Sequence, residues 1–189
     1  MAIIKQSNVK GIDQSIQSFQ SFIYTALCGV WGLSGTDWDC YDRAYRNQSK
    51  DGYYPEVFKG NSTGVAKSQD YKEALFNDAV KVQSFFLLGD DTKIAGVKAT
   101  VQVSLIFMLN VPKIKTGATN RADEEIRNDV IRQCMYERYG FKVSGISTGI
   151  DSVFKEFSGW KKKEGIKSRD IHPWHCFRID FEVSYTVFQ

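Results

Sequence analysis

The chain has 189 residues, of which 42% are hydrophobic and 25% are charged, a composition typical of a globular domain with a buried core. Its formal net charge of only +3 argues against a dedicated nucleic-acid binder, which carries a strongly basic surface. The amino-terminal residues lack the apolar run of a secretory signal, and no apolar run is long enough to span a bilayer, so we expect a soluble single domain over residues 1–189.

The first predicted element is a helix over residues 13–27. Asp13 is expected to cap its first turn, and Gly29 is expected to end it in a left-handed conformation. The apolar residues recur at spacings of three and four and so share one face: Ile12, Ile16, Phe19, Ile23 and Ala26. We expect this face to pack on a sheet, because the outer face carries Gln and Ser and lacks the basic residues of a membrane-binding helix.

Residues 30–72 are rich in Gly, Ser, Asn and Asp, yet they include eight aromatic residues. Flexible linkers are poor in aromatic residues, so we predict a long, ordered, loop-rich insertion. Such an insertion needs support, either from its own domain or from a neighbouring subunit. If it forms a subunit interface, the residues expected there are its large rings: Trp38, Tyr41, Tyr45, Tyr53, Tyr54 and Phe58.

Two strands are predicted next, over residues 78–88 and 97–111, with a turn at residues 89–91. In the second strand every other residue is apolar, which is the period of two expected of a strand buried on one face. Towards its end the polar side also becomes apolar, at Ile106 and Met108. We therefore expect this end of the strand to be covered on both faces.

A second helix is predicted over residues 120–140, with Asn120 as its cap and Gly140 at its end. Its predicted buried line is Ala122, Ile126, Val130 and Cys134. Residues 141–147 and 152–157 are predicted as two shorter strands.

The closing strand is predicted over residues 177–187. Its apolar residues alternate with polar ones, so Arg178, Asp180 and Glu182 are expected to lie on a solvated face. Consecutive strands joined by short turns favour an antiparallel sheet. The sequence therefore predicts an α+β fold, with a mostly antiparallel sheet, two helices packed on one face and long ordered loops.

The candidate metal ligands are His172, His175 and Cys176. They supply only part of a tetrahedral zinc set, no second Cys or His cluster is present, and the last two neighbour each other on a strand and so point to opposite faces. The four cysteines lack paired spacing and are expected to be reduced and mostly buried.

Sequence motifs for other chemistry are also missing. The chain has no nucleophile elbow, no phosphate-binding loop and no dinucleotide-binding turn. We therefore predict a protein that is not an enzyme, with no catalytic, cofactor-binding or metal-binding residues and no cofactor.

The alternative within the enzyme class is a metal-dependent nuclease. Asp180 and Glu182 lie two apart on one strand face, and Lys155 and Glu156 are candidates for the same site. The same face also carries Arg178 and hydroxyl residues, which is typical of a solvated sheet.

One local cluster of basic residues follows Trp160. It is predicted to be an exposed hairpin, or alternatively a loop that faces DNA or another subunit, formed by Lys161, Lys162, Lys163, Lys167 and Arg169. Because Trp160 is the only aromatic residue beside it, base stacking is weakly supported.

Four segments occur in a characteristic order: GVKATVQVSLIFMLNVPKI, RADEEIRNDVIRQCMY, GISTGIDSVFKEF and HPWHCFRIDFEVSYTVFQ. A long strand, a helix that opens with acidic residues, a kinked segment and a closing strand thus follow one another. Together with the first helix, residues 78–189 resemble the phage tail-terminator or tail-completion family, which joins heads to tails.

This resemblance implies a non-enzymatic subunit of the virion, made and assembled in the host cytoplasm. It would form a ring, a hexamer or higher, at the neck or the head-proximal end of the tail. Its partners would be its own copies, a connector or adaptor ring and the tail tube, with non-specific contact to DNA in the channel and no membrane. A third alternative is a monomeric module that binds a ligand through residues 53–55.

Overall fold

Eight strands of this chain form one mixed sheet, and the computed structural model describes residues 3–60, 68–160 and 173–187. The strands are β1 (Ile3–Ile4), β2 (Trp38–Ser49), β3 (Gly52–Phe58), β4 (Tyr71–Glu73), β5 (Val82–Ala95), β6 (Lys98–Asn110), β7 (Phe141–Thr148) and β8 (Trp174–Thr186). Four helices are present in these ranges: α1 (Ile12–Trp31), α2 (Val111–Ile114), α3 (Asp123–Cys134) and α4 (Ile150–Val153).

The order of strands across the sheet is β4-β3-β2-β5-β6-β8-β7, and β1 lies beside β2. The pairs β1–β2 and β2–β5 are parallel, and every other neighbouring pair is antiparallel. The fold is therefore mixed α and β with a mostly antiparallel sheet, as the sequence predicts.

Two hydrophobic cores lie on opposite faces of the sheet. The first core combines α1 and α3 with the alternating apolar residues of β6 and β8, among them Leu105, Phe107 and Phe181. The second core combines α4 and part of β2 with Ile106 and Met108, on the other side of β6. The prediction that β6 is covered on both faces at this end is confirmed.

The first helix is longer than predicted at both ends. It continues to Trp31, whose indole Nε1 donates to Asp129 Oδ2 at 3.0 Å, and it ends at Gly32 in the left-handed region, with φ 61°. Gly29 is therefore inside the helix. Asp13 does not cap the first turn; it lies within that turn, and Arg43 Nη1 approaches its carboxylate at 3.2 Å.

The second helix is shorter than predicted. The left-handed residue Ala122, with φ 55°, immediately precedes α3, so Asn120 is not its cap. The helix ends at Cys134, and Gly140 instead belongs to a tight turn that leads into β7. The predicted buried line is confirmed: Ala122, Ile126, Val130 and Cys134.

The predicted loop-rich insertion is wrong for most of residues 30–72. Residues 38–58 form β2 and β3, which are joined by a two-residue turn, and β4 extends the sheet by one strand. The first half of β2 is held by parallel pairing to β5, a partner far away in the sequence. Its second half is exposed and polar, which is why its composition indicated a loop.

Two further predictions are corrected in residues 82–98 and 150–157. Residues 89–91 are a bulge, because Leu88 pairs with Val103 and Thr92 pairs with Val101; the strand continues, and the true turn lies at Gly96 and Val97.

Residues 152–157 form part of α4 and a turn, not a strand, and their aromatic side chains enter the second core.

Gly140 supplies a direct test of this packing. Its φ is 79°, and an added Cβ would lie 2.0 Å from the carbonyl oxygen of Ser184. We expect Gly140→Ala to lower the free energy of unfolding by about 2 kcal/mol or more, because left-handed strain and a backbone clash add together. Urea denaturation measures this change.

The matched control is Gly117→Ala. Gly117 also has a positive φ, 83°, but no atom lies within 4 Å of its added Cβ. We expect Gly117→Ala to lower the free energy of unfolding by only about 1 kcal/mol, because left-handed strain is its one penalty. Equal losses in the two variants would show that Gly140 does not approach β8 as closely as described.

Candidate assembly surface

The aromatic residues predicted as a subunit interface divide into two groups. Trp38, Tyr41, Tyr54 and Phe58 are buried inside the chain itself. Trp38 Nε1, for example, donates to Ser84 Oγ at 3.0 Å. The interface prediction is therefore wrong for these four residues, because rings in a chain's own core are unavailable to a neighbour.

Tyr45 and Tyr53 remain exposed on the β2–β3 hairpin. The guanidinium of Arg43 lies 4.9 Å from the centroid of the Tyr45 ring, and Tyr71 meets the same ring edge-on at 5.7 Å. These two tyrosines are the part of the predicted interface that a partner can reach.

The carboxylates of the nuclease alternative belong to an ion-pair network. Arg178 is only 6% exposed, so its predicted solvated position is wrong. Its guanidinium donates from Nη1 to Glu156 and from Nε to Asp180, both at 2.6 Å. Ser104 Oγ also donates to Asp180, at 2.5 Å.

One guanidinium thus forms ion pairs with both carboxylates. It lines a cleft of about 340 Å³ that also includes Lys155. Glu182 is not part of this ion-pair network. It is exposed and pairs across the sheet with Gln102 on one side and Lys142 on the other, which are exposed as well. In the described ranges, no group of three or more His, Cys, Asp and Glu side chains is placed to hold a metal ion.

The remaining sequence candidates do not converge on a site. Cys176 is buried in the second core while His175 faces the other way, and burial lowers the pKa of His175. Burial raises the pKa of the Cys40 and Cys134 thiols to about 12, which keeps them protonated. His172 and the basic cluster Lys161, Lys162, Lys163, Lys167 and Arg169 lie outside the described residues.

Exposed apolar side chains instead gather at one end of the sheet. Residues 90–98 of β5, β6 and their turn are all exposed, and we call them the arm. Ile94 is 69% exposed and Val97 is 58% exposed. Val187 lies beside them, because its amide donates to the Val97 carbonyl at 3.0 Å.

The connection from α3 to β7 adds to the same end. It presents three exposed side chains: Met135, Tyr136 and Tyr139. The end of this connection is fixed to β8, because the amide of Ser184 donates to the Gly140 carbonyl at 3.0 Å. Two residues further along β8, Thr186 pairs with Lys98 at the base of the arm, so the connection lies near the arm. Sequence reasoning missed this surface because isolated exposed apolar residues in a turn carry no periodic signal.

Comparisons of the sequence with known proteins do not assign the chain to a family. No protein-family model matches the chain, and no curated protein matches it in sequence. None of the helices in residues 3–60, 68–160 and 173–187 is long and apolar enough to cross a membrane.

A buried carboxylate next to β1 makes stability depend on pH. Asp42 lies on β2, its Oδ2 accepts a long hydrogen bond of 3.3 Å from the Gln6 amide, and its buried Oδ1 has no hydrogen-bond partner among the described residues. Desolvation raises the pKa of Asp42 to about 6, above the ordinary value of 3.8 for an aspartate. Between these two pH values the folded state keeps a proton that the unfolded state has released, so this group destabilises the fold as pH rises to about 6.

We expect Asp42→Asn to stabilise the protein by about 1–2 kcal/mol above pH 6, because the amide carries no charge to desolvate. The gain should shrink as pH falls towards 4, where Asp42 is protonated in both states. Urea denaturation at a series of pH values checks this, with the exposed Asp51→Asn as the control. A gain that does not vary with pH would rule out the buried charge as its cause.

Proposed function

We propose that this chain is a non-enzymatic structural subunit of a phage virion. It forms a ring at the head–tail connector or tail terminator and joins the neck to the tail. In this proposal α1 and α3 form a helical layer on one face of the sheet, and the sheet end carries the contacts to other copies. The resemblance of residues 78–189 to the tail-terminator family supports the assignment.

The exposed arm is the observation that carries the proposal. A strand that extends beyond its core with apolar residues at its tip is a liability, because it offers other chains both apolar surface and unpaired backbone groups. Ile94 and Val97 are the most exposed aliphatic residues of the sheet end. A subunit that assembles with its own copies covers such an arm, whereas a monomer gains nothing from it.

The polar face of the same strands suits the wall of a channel. Lys93 pairs with Thr100, and Lys142 pairs with Glu182, all on the side away from α1 and α3. Lys93, Lys98 and Lys142 are all exposed. In the proposed ring these lysines contact passing DNA non-specifically through its phosphates, while the two rims of the ring contact the connector or adaptor and the tail tube.

The oligomeric state tests this proposal. We expect the purified chain to form a closed ring of six or more copies, visible as one species by native mass spectrometry and by negative-stain electron microscopy. Replacing Ile94 and Val97 together by Lys should release monomers with unchanged thermal stability, because both side chains are exposed and their loss leaves the core intact.

The control is Val30→Lys, which makes the same change at an exposed aliphatic residue near the end of α1. This variant should keep the ring. A wild-type chain that stays monomeric at every concentration would contradict the proposed function, and dissociation by Val30→Lys but not by the arm variant would place the contacts elsewhere.

A further inference from the structure

We infer that neighbouring copies join edge to edge, with β7 of one copy hydrogen-bonded to the outer half of β5 in the next. This inference rests on the proposed function, since it names the contact that closes the ring. It predicts one continuous sheet that runs through all copies.

The first open edge is β7. Among the described residues β8 is the one strand that it pairs with, apart from an isolated bridge between Phe141 and Arg138, and it stands last in the strand order. Natural proteins protect edge strands with charges or proline, but β7 contains no proline and a single charged residue, Lys142. Its one irregularity is a bulge between Val143 and Gly145, which increases local twist.

The second open edge is the outer half of β5. Pairing of β5 with β2 ends at Ala44 and Leu87, and the rest of β2 pairs with β3 at its other edge. From Thr92 to Ala95, β5 pairs only with β6 in the part of the chain that the structure describes. The sheet end therefore has two unpaired edges, on opposite sides of the strands β5, β6, β8 and β7.

The strand directions are compatible with such a junction. Each neighbouring pair in the series β5, β6, β8 and β7 is antiparallel, so β5 and β7 run in opposite directions. Rotation about the axis of the ring places the next copy alongside the first, and each strand keeps its direction relative to that axis. β7 of one copy then meets β5 of the next as one more antiparallel pair, with the alternation unbroken.

Two exposed isoleucines fix the register. Ile94 pairs with Ala99, and Ile146, which is 42% exposed, pairs with Ile179; both isoleucines therefore lie on the face of the first core. Placing Ile94 opposite Ile146 buries both and sets Lys93 opposite Ser147, which share the other face. A cross-strand aliphatic pair of this kind contributes roughly 0.2–1 kcal/mol beyond the main-chain hydrogen bonds.

This register also gives a strand tilt that a closed sheet requires. Ile94 is level with Ala99, whose partner on β8 is Tyr185, whereas the β8 partner of Ile146 is Ile179. Placing Ile94 of one copy opposite Ile146 of the next therefore shifts successive copies by six residues along the strands, over a width of four strands. Six residues span about 20 Å, and four strands span about 19 Å. The strands therefore tilt by about 45° from the ring axis, at the upper end of the range of closed sheets.

Disulfide trapping tests the register. Lys93→Cys and Ser147→Cys in one chain should give, under mild oxidation, a ladder of covalent multimers up to the full ring on non-reducing gels, because facing residues of an antiparallel pair lie within disulfide range. Lys93→Cys with Lys142→Cys is the control, since Lys142 lies on the same edge but five residues out of register. This control pair should give no ladder.

The outcomes separate the two proposals. Rings that form without a ladder from the first pair, or with a ladder from the control pair, would overturn the edge-to-edge junction and leave the proposed function standing. Absence of rings in the wild-type chain would overturn the proposed function itself. Circular dichroism of each variant verifies that the fold is retained, as expected for positions outside the core.

Discussion

The pairing of β6 with β5 and β8 is the constraint on which the other elements depend. β6 is paired with β8 along its whole length, from Lys98 to Asn110. A slip of one residue would move Leu105 and Phe107 from the first core to the second and would turn Val101 to the exposed polar face, so the register is strongly fixed. The helices, the second core and both sheet edges take their positions from these three strands.

The same alternation that builds the core continues into the exposed arm. Ile94 pairs with the buried Ala99 but is itself exposed, and it places one more aliphatic side chain on the face of the first core. The opposite face carries Lys93 and Lys98 at the same level. In the proposed ring the copies meet at the strand edges, with Ile94 and Ile146 packed together on one face of the junction, and the polar face lines the channel, without any change in the strand pattern.

Local patterns predicted the elements that pack through their own periodicity. The alternation of β6 and β8 and the apolar stripes of α1 and α3 were sufficient to identify them. β2 was missed because it is held by β5, a distant parallel partner, and its polar second half resembles a loop. The burial of Arg178 was missed for the same reason: its partner Glu156 comes from the segment after α4, which the sequence predicted as a strand.

Amide hydrogen exchange measured against protein concentration tests the central claim most directly. If the sheet continues from copy to copy, the outward-pointing amides of residues 92–95 and 145–148 will be protected in concentrated protein and will exchange rapidly after dilution, while β6 stays protected throughout. Rapid exchange of both edges at every concentration, with β6 protected, would contradict the account, because it would show a folded subunit whose edges never meet.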